Sequence, residues 1–331
     1  MHRTIDVFGV GNAIVDMLAM VPDEFIEQQR LKRASMTLMD TDRQASILHA
    51  LGDHRVDLAS GGSAANTMVA LAQSGGSGVY FGKVSHDTHG EFYRRNMEDS
   101  GISFPVALAA EPAEPTGTCV VLTTPDAERT MCTHLGISTS LSETDLDWDV
   151  LARCRYSYIE GYLWDAAGPR KACQETMVQS NRKGVRASFT FSDLFLVDRY
   201  REDFLKWVPE HCDVLFCNAD EARHLLECDD LQQCCRQLAP MAETVFVTDG
   251  ENGCTVIEDG NIQNVPGFSV NAIDTVGAGD AFAGGALYGL AHNLGSLQAA
   301  RWGNYLASQV VSKSGPRLNE PRADELQSIL T

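Results

Sequence analysis

The sequence predicts an α/β protein: a doubly wound, mostly parallel central sheet with helices on both faces, plus a small β-sheet lid. Three observations carry that prediction. Short apolar, β-branched runs alternate with longer helical patterns over most of the chain. Turns rich in glycine, asparagine and aspartate follow several of those runs, at the strand ends where α/β sheets place ligand sites. Two stretches break the alternation and read as strands of a separate sheet.

Taken in order, Ile5–Val10 is the first buried strand. Met17–Val21, a short helix and Ser35–Met39 then interrupt the rhythm. Ala64–Gln73 reads as a helix, Val79–Gly82 as a strand and Glu91–Ser100 as a helix. Pro105–His134 holds Val106–Ala109, Thr118–Thr124 and Thr130–His134, the last two separated by turn chemistry at Pro125-Asp126. Alternation then resumes, with strands at Tyr156–Glu160, Val185–Phe189, Val214–Cys217, Thr244–Thr248 and Cys254–Ile257. Helices fall at Pro169–Asn181, Glu221–Leu226 and Leu231–Leu238. An unbroken apolar run such as Val214-Leu215-Phe216-Cys217 suits a strand covered on both faces. No repeat, low-complexity stretch or Pro/Gly linker divides the chain. It reads as a single domain, 1–331, with a lid inserted from about 17–39 and 103–135. Such a sheet either gates a reaction that water would spoil or is a plain hairpin decoration.

Composition narrows the class. The 331 residues are 44% hydrophobic and 21% charged, ordinary for a soluble protein with a sizeable core. A formal charge of −19 argues against a nucleic-acid partner. It still permits an anionic substrate, because N–H cradles and a metal can bind phosphate within an acidic protein. No stretch approaches the ~20 apolar residues of a membrane span. The first strand begins almost at Met1, which leaves no room for a signal peptide. Ten cysteines without zinc-spaced pairs, many in apolar runs, read as reduced buried thiols and point to the cytoplasm.

The most informative segment is Asp274-Thr275-Val276-Gly277-Ala278-Gly279-Asp280, which opens a small and apolar helical run. Backbone N–H groups at such a helix start lack intrahelical acceptors and sit at the positive end of the dipole, a ready anion cradle. Asp280 would repel a phosphate, so its presence makes sense if it takes a proton from an attacking hydroxyl. The plainer reading is a first-turn acid complementing the dipole. Asn12 and Asp16 follow the first strand and suit a polyol, although a turn with a solvated acid explains them equally. The third glycine of a dinucleotide fingerprint is missing after Gly9 and Gly11. In Ser60-Gly61-Gly62-Ser63-Ala64-Ala65-Asn66, the glycines admit a ligand to the backbone and Asn66 offers donor and acceptor, or Ser63 is simply an N-cap. Asn218 and Glu221 have capping-box spacing, which locally outweighs a role at hydrated Mg²⁺. Thr248, Gly250 and Gly253 lie in a turn between two strands. No P-loop, nucleophile elbow or HExxH occurs.

In this order, the GN…D, GGSAAN, NADE, TDGENG and DTVGAGDAF motifs resemble the ribokinase-like, or PfkB, family of sugar and nucleoside kinases, from about Ile5 to about Pro321. The resemblance implies ATP-dependent transfer of a γ-phosphoryl group to a hydroxymethyl group. It implies Asp280 as base and an anion hole at Gly277, Ala278 and Gly279. Asn12, Asp16, Gly62, Ser63 and Asn66 match acceptor-binding positions, while Thr248, Gly250, Gly253 and Asn304 match nucleotide-lining ones. Asn218 and Glu221 match the Mg²⁺ and phosphate motif, which overturns the plain cap. Asp274, Val276, Gly315 and Asn319 match the family's K⁺ site, although Asn319 replaces a more usual serine.

Val7–Asn12, Leu31-Lys32, Pro115–Cys119 and Tyr158–Tyr162 resemble the adenosine kinase branch. On that resemblance Met36, Leu38, Cys119, Tyr162 and Trp164 line a slot for the base, or are ordinary core and lid packing. Arg129 resembles a lid arginine that reaches the transferring phosphate, with a solvated turn charge as its rival. Met36 stands where the branch usually has a polar residue. The expected acceptor is adenosine, with ribose, fructose or another sugar as the alternative and a silent nucleoside or sugar sensor as a further one. The expected assembly is a monomer or a homodimer joined through lids.

Overall fold

The structure is a computed structural model that describes residues 3–110, 114–126 and 128–331. Its main sheet contains β1 (Ile5–Val10), β5 (Gly78–Phe81), β6 (Ile102–Ser103), β9 (Cys154–Glu160), β10 (Arg186–Thr190), β11 (Val214–Asn218), β12 (Thr244–Thr248), β13 (Cys254–Glu258) and β14 (Asn261–Val265). The spatial order is β14-β13-β12-β11-β10-β9-β1-β5-β6. The pairs from β12 through to β6 are parallel, and β13 and β14 add an antiparallel edge. Val214, Leu215, Phe216 and Cys217 are all buried, as expected of a strand with helices on both faces.

The second sheet holds β2 (Ile14–Met20), β3 (Met36–Leu38), β4 (Val56–Gly61), β7 (Gly117–Thr123) and β8 (Arg129–His134), ordered β3-β8-β7-β2-β4. One face carries Met17, Ala19, Val120, Leu122 and Cys132, packed with Ile47 and Leu51 of the helix Thr41–Leu51. The other carries Ile14, Leu18, Cys119, Val121 and Met131. Register aligns Leu18, Val121, Met131 and Met36 in one row, and Asp16, Cys119, Thr133 and Leu38 in the next. Period-two alternation thus sends one apolar set to the helix and another toward the main sheet's strand ends.

The sequence reading differs from this architecture in the small sheet. Its members come from 14–61 and 117–134, and the strand Val56–Gly61 and the helix Thr41–Leu51 were not anticipated. The edge strand alternates polar residues with exposed Val56 and Leu58, so it lacks the buried run that marks the others. Val106–Ala109 forms no strand; Ala109 makes only an isolated bridge to Ser85. Residues 111–113 and 127, within the expected lid span, lie outside the described residues. None of the ten cysteines is paired in a disulfide, and among the described residues no helix is long and apolar enough to cross a membrane.

Candidate active site

The helix Ala278–Ala291 starts where Gly277 turns the chain with φ +80°. A Cβ there would meet the Pro316 carbonyl oxygen at 2.3 Å, so the turn requires glycine. The Ala278 amide donates to the Thr275 carbonyl at 3.3 Å. Among the described residues, the amides of Gly277, Gly279 and Asp280 have no acceptor. Three N–H groups therefore remain free for an anion, with Asp280 replacing Ala278 in the expected set.

Asp280 is held on both oxygens. Oδ1 accepts from Ser63 Oγ at 2.6 Å and Oδ2 from Asn66 Nδ2 at 3.1 Å. Burial pushes its pKa up to about 6, against the opposing pull of Ser63, Asn66 and the Arg317 charge. Ser63 and Asn66 come from the helix Ser63–Gln73, whose N-cap is Gly62, not Ser63. Gly62 has φ +100°, and a Cβ on it would meet the Asn12 carbonyl oxygen at 2.3 Å. Ser63 is thereby released from capping and donates to Asp280 across 217 residues of sequence.

A cavity of about 390 Å³ brings Asp16, Gly62, Ser63, Asn66, Arg129, Tyr162 and Asp280 together with apolar Leu18, Val121 and Met131 of the small sheet. Burial raises the Asp16 pKa to about 6 as well, tempered by Arg317 and Arg129. A second cavity of about 110 Å³ shares Ser63, Asn218, Gly279 and Asp280 with the first and adds Glu221 and Thr248. Asn218 and Glu221 form a complete capping box. Glu221 N donates to Asn218 Oδ1 and Asn218 N to Glu221 Oε2, each at 2.8 Å. Glu221 is buried, which lifts its pKa to about 7, and its Oε1 has no protein partner among the described residues. The cap and a cation-facing role coexist at Glu221, whose Oε1 is spare, while the Asn218 oxygen serves the helix and its NH₂ is left to donate to a phosphate or a water. A spare carboxylate oxygen, with an amide beside it that can orient a water or a phosphate oxygen, fits a Mg²⁺ held largely through water. Among the described residues no cluster of three or more His, Cys, Asp or Glu offers a denser metal cage.

The residues expected to hold K⁺ do not fit one. Asp274 Oδ2 is engaged by Arg129 Nη2 at 2.6 Å and the Gly315 amide at 2.8 Å, and Oδ1 by the Val276 amide at 3.0 Å. Lys313 Nζ donates to the Ser314 and Gly315 carbonyls, and Asn319 is exposed. Arg129 and Lys313 engage Asp274 and the Gly315 carbonyl, two of the four groups expected to hold the ion.

Other expected residues divide. Met36 and Leu38 share the sheet face that carries Leu18 and Val121 and are 37% and 50% exposed. Cys119 is buried on that face and accepts from Thr133 Oγ1. Trp164 lines neither of these two cavities: it is 1% exposed, packs edge-on against Phe189, Phe204 and Trp207, and donates from its indole to Asp203. Asn12 stands behind the wall, its backbone and side-chain amides both donating to Glu160 Oε1. Gly253 packs against Val265–Gly267, whose turn Asn304 ties down through the Val265 and Pro266 carbonyls, and Gly250 opens the turn after Thr248.

Sequence reasoning missed Glu160 and Arg317 as parts of this site. Glu160 ends a buried strand, and its other oxygen accepts from the Ala64 amide at 2.7 Å, so one carboxylate joins Asn12 to the Ser63–Gln73 helix. Its signals were an acid closing the buried run Tyr156–Ile159 and its place inside the Tyr158–Tyr162 segment. Arg317 had none beyond its glycine-proline loop.

Free helix-start amides and a carboxylate of raised pKa, set at the C-terminal edge of a doubly wound sheet beside a second, smaller sheet, define a kinase of the ribokinase-like α/β fold. The comparisons identify the family. Residues 39–323 match the pfkB family carbohydrate kinase model, and the chain belongs to that family. A structure described as a probable sugar kinase protein from Rhizobium etli CFN 42 superposes with TM-score 0.91 at 32% identity, covering 100% of both chains. Adenosine kinase from Sinorhizobium meliloti gives TM-score 0.89 at 33% identity over 98% of this chain and 99% of that one. Adenosine kinase 1 of Arabidopsis thaliana is 25% identical over 335 aligned residues, 93% of this chain and 94% of that protein.

Proposed function

We propose that the chain transfers the γ-phosphoryl group of ATP to the 5′-hydroxyl of a nucleoside, adenosine foremost. The observation that carries this reading is one cavity in which Asp16, Asn66 and Asp280 face an apolar wall of Leu18, Val121 and Met131. The polar end suits the hydroxyls of a ribose, and the apolar wall suits a flat base, which a bare sugar does not need. Met36 and Leu38 continue that wall across the sheet. The similarity to the Sinorhizobium and Arabidopsis adenosine kinases supports the same choice.

In this reading Asp280 takes the proton of the acceptor hydroxyl as its oxygen bonds to the γ-phosphorus and the bond to the leaving ADP oxygen breaks. The free amides of Gly277, Gly279 and Asp280 meet the charge on the transferring group. Asp16, Gly62 and Asn66 orient the acceptor, with Asn12 fixing the floor beneath them. Arg129, whose Nε is buried without a partner among the described residues, reaches toward the phosphate from the small sheet acting as a lid. Thr248, Gly250, Gly253 and Asn304 shape the nucleotide end. Asn218 and Glu221 would hold Mg²⁺, which when bound neutralises phosphate charge.

An ADP-release assay with adenosine, inosine, ribose and fructose tests the reading. Turnover of adenosine well above that of either sugar supports it. Turnover of ribose or fructose with silence on both nucleosides replaces it with a sugar kinase, the reading favoured by the Rhizobium neighbour. Binding of a nucleoside without turnover of any acceptor leaves a sensor.

A further inference from the structure

Arg317 lies behind the candidate active site, and no step described so far uses it. Its Nε donates to Asn66 Oδ1 and its Nη1 to Ser60 Oγ, each at 2.8 Å. Its Nη2 is shut off from solvent and has no protein partner among the described residues. Ser60 is anchored in turn, donating from its backbone and hydroxyl to Asn96 Oδ1.

A guanidinium only donates, so Asn66 must turn its oxygen to Arg317 and its NH₂ to Asp280. The amide orientation at the base is therefore set from behind. The same cation acts on both cavity carboxylates, lowering the proton affinity of Asp16 and of Asp280. Among the described residues, Glu160, Tyr158 and Tyr162 also face Asp280 and none of them is a cation, while Arg129 lines the same cavity but is paired with Asp274. Ser63 completes the shell as a neutral donor.

We propose that Arg317 is a positioning residue that keeps Asp280 ionised and aims Asn66 at it, so that the base is ready near neutral pH. This rests on reading Asp280 as the base. Removing the charge would leave Asp16 with Arg129 alone and Asp280 with only its neutral donors Ser63 and Asn66, so the Asp280 carboxyl would hold its proton to higher pH.

The test uses two substitutions in the full chain. R317Q keeps a donor for Asn66 Oδ1 and removes the charge; R317K keeps the charge and loses the fork. The pH dependence of kcat/KM for the acceptor is measured, together with a ¹³C titration of the Asp280 carboxyl in chain labelled at aspartate. In R317Q the acid limb moves up by about one pH unit, so activity falls roughly threefold at pH 6.5 and close to tenfold at pH 5, and recovers to within about threefold at pH 9. The ¹³C midpoint moves with it, while R317K leaves both in place. A rate loss in R317Q that is the same at every pH, with the ¹³C midpoint unmoved, overturns the proposal. If R317Q does not fold, R317K decides alone, because an upward shift there of a full unit removes the charge from the account. If Asp280 is not the base, the kinetic limb is absent from the unsubstituted enzyme, yet the ¹³C midpoint still reports whether Arg317 controls the carboxyl.

Discussion

Replacing Asp280 by asparagine separates chemistry from stability because of how the carboxylate is held. Arg317 fixes Asn66 as a donor toward position 280, so the new amide must present its oxygen there and its NH₂ to Ser63. Ser63 can accept, since a hydroxyl does both. The Ser63 hydroxyl hydrogen, which loses Asp280 as acceptor, turns to the cavity that Ser63 lines, and the fold should survive. Catalysis should fall by ~10²–10⁴, the typical cost of losing a general base, on the proposal that Asp280 takes the acceptor's proton.

The stability effect runs the other way. In the native state Asp280 has its pKa raised from the ordinary 3.8 to about 6. The folded protein therefore binds that proton more tightly than the unfolded chain, and stability falls as pH rises from about 4 to about 6. At about 1.36 kcal/mol per unit, the ionised carboxylate costs the native state up to about 3 kcal/mol above pH 6, less for its partial exposure. For a chain of this length the D280N protein should melt about 1–4 °C higher at pH 8. The gap should close near pH 4. Melting curves at both pH values and kcat at pH 8 check this. A kcat within tenfold of the unsubstituted enzyme refutes the base. A melting advantage that persists at pH 4 refutes the electrostatic origin of the stability change.

Two further outcomes follow from the geometry. Glu221→Gln keeps an oxygen for the Asn218 amide, so the helix Ala219–Leu226 should stay capped. The concentration of Mg²⁺ for half-maximal rate should rise on the order of 10-fold with little change in acceptor KM, and an unchanged Mg²⁺ requirement would remove Glu221 from the cation's shell. Trp164→Ala should cost about 3–5 kcal/mol by chemical denaturation, as for any large buried aromatic. Its acceptor KM should be unaltered where the variant is folded, and a marked KM rise there would return Trp164 to the binding slot.

Most of the main sheet was legible because parallel strands buried on both faces leave unbroken apolar runs; the expected Thr244–Thr248 strand matches the structure residue for residue. The helix Leu231–Leu238 was equally clear, with an Asp230 cap and apolar residues on one face. The small sheet was legible only where its strands carry apolar sets. The edge strand Val56–Gly61 escaped because an edge needs little burial to pair. Trp164 shows the opposite failure. A large aromatic near a ligand-end turn suits a base slot and a core equally until its neighbours are known.

The sequence alone determined the class of this protein, because the GN…D, GGSAAN, NADE and DTVGAGDAF motifs are each local, and their order along one chain is specific. Tertiary structure decided what those motifs meet. Ser63 reaches Asp280 across 217 residues, Arg317 reaches Asn66 across 251, and Arg129 closes on Asp274 from another sheet. Such contacts leave no trace in spacing, since they depend on where strands and helices pack, not on how far apart their residues lie in sequence. The proton affinity of Asp280 is likewise a property of burial and of a charge folded back from the loop after the helix Ser296–Val311.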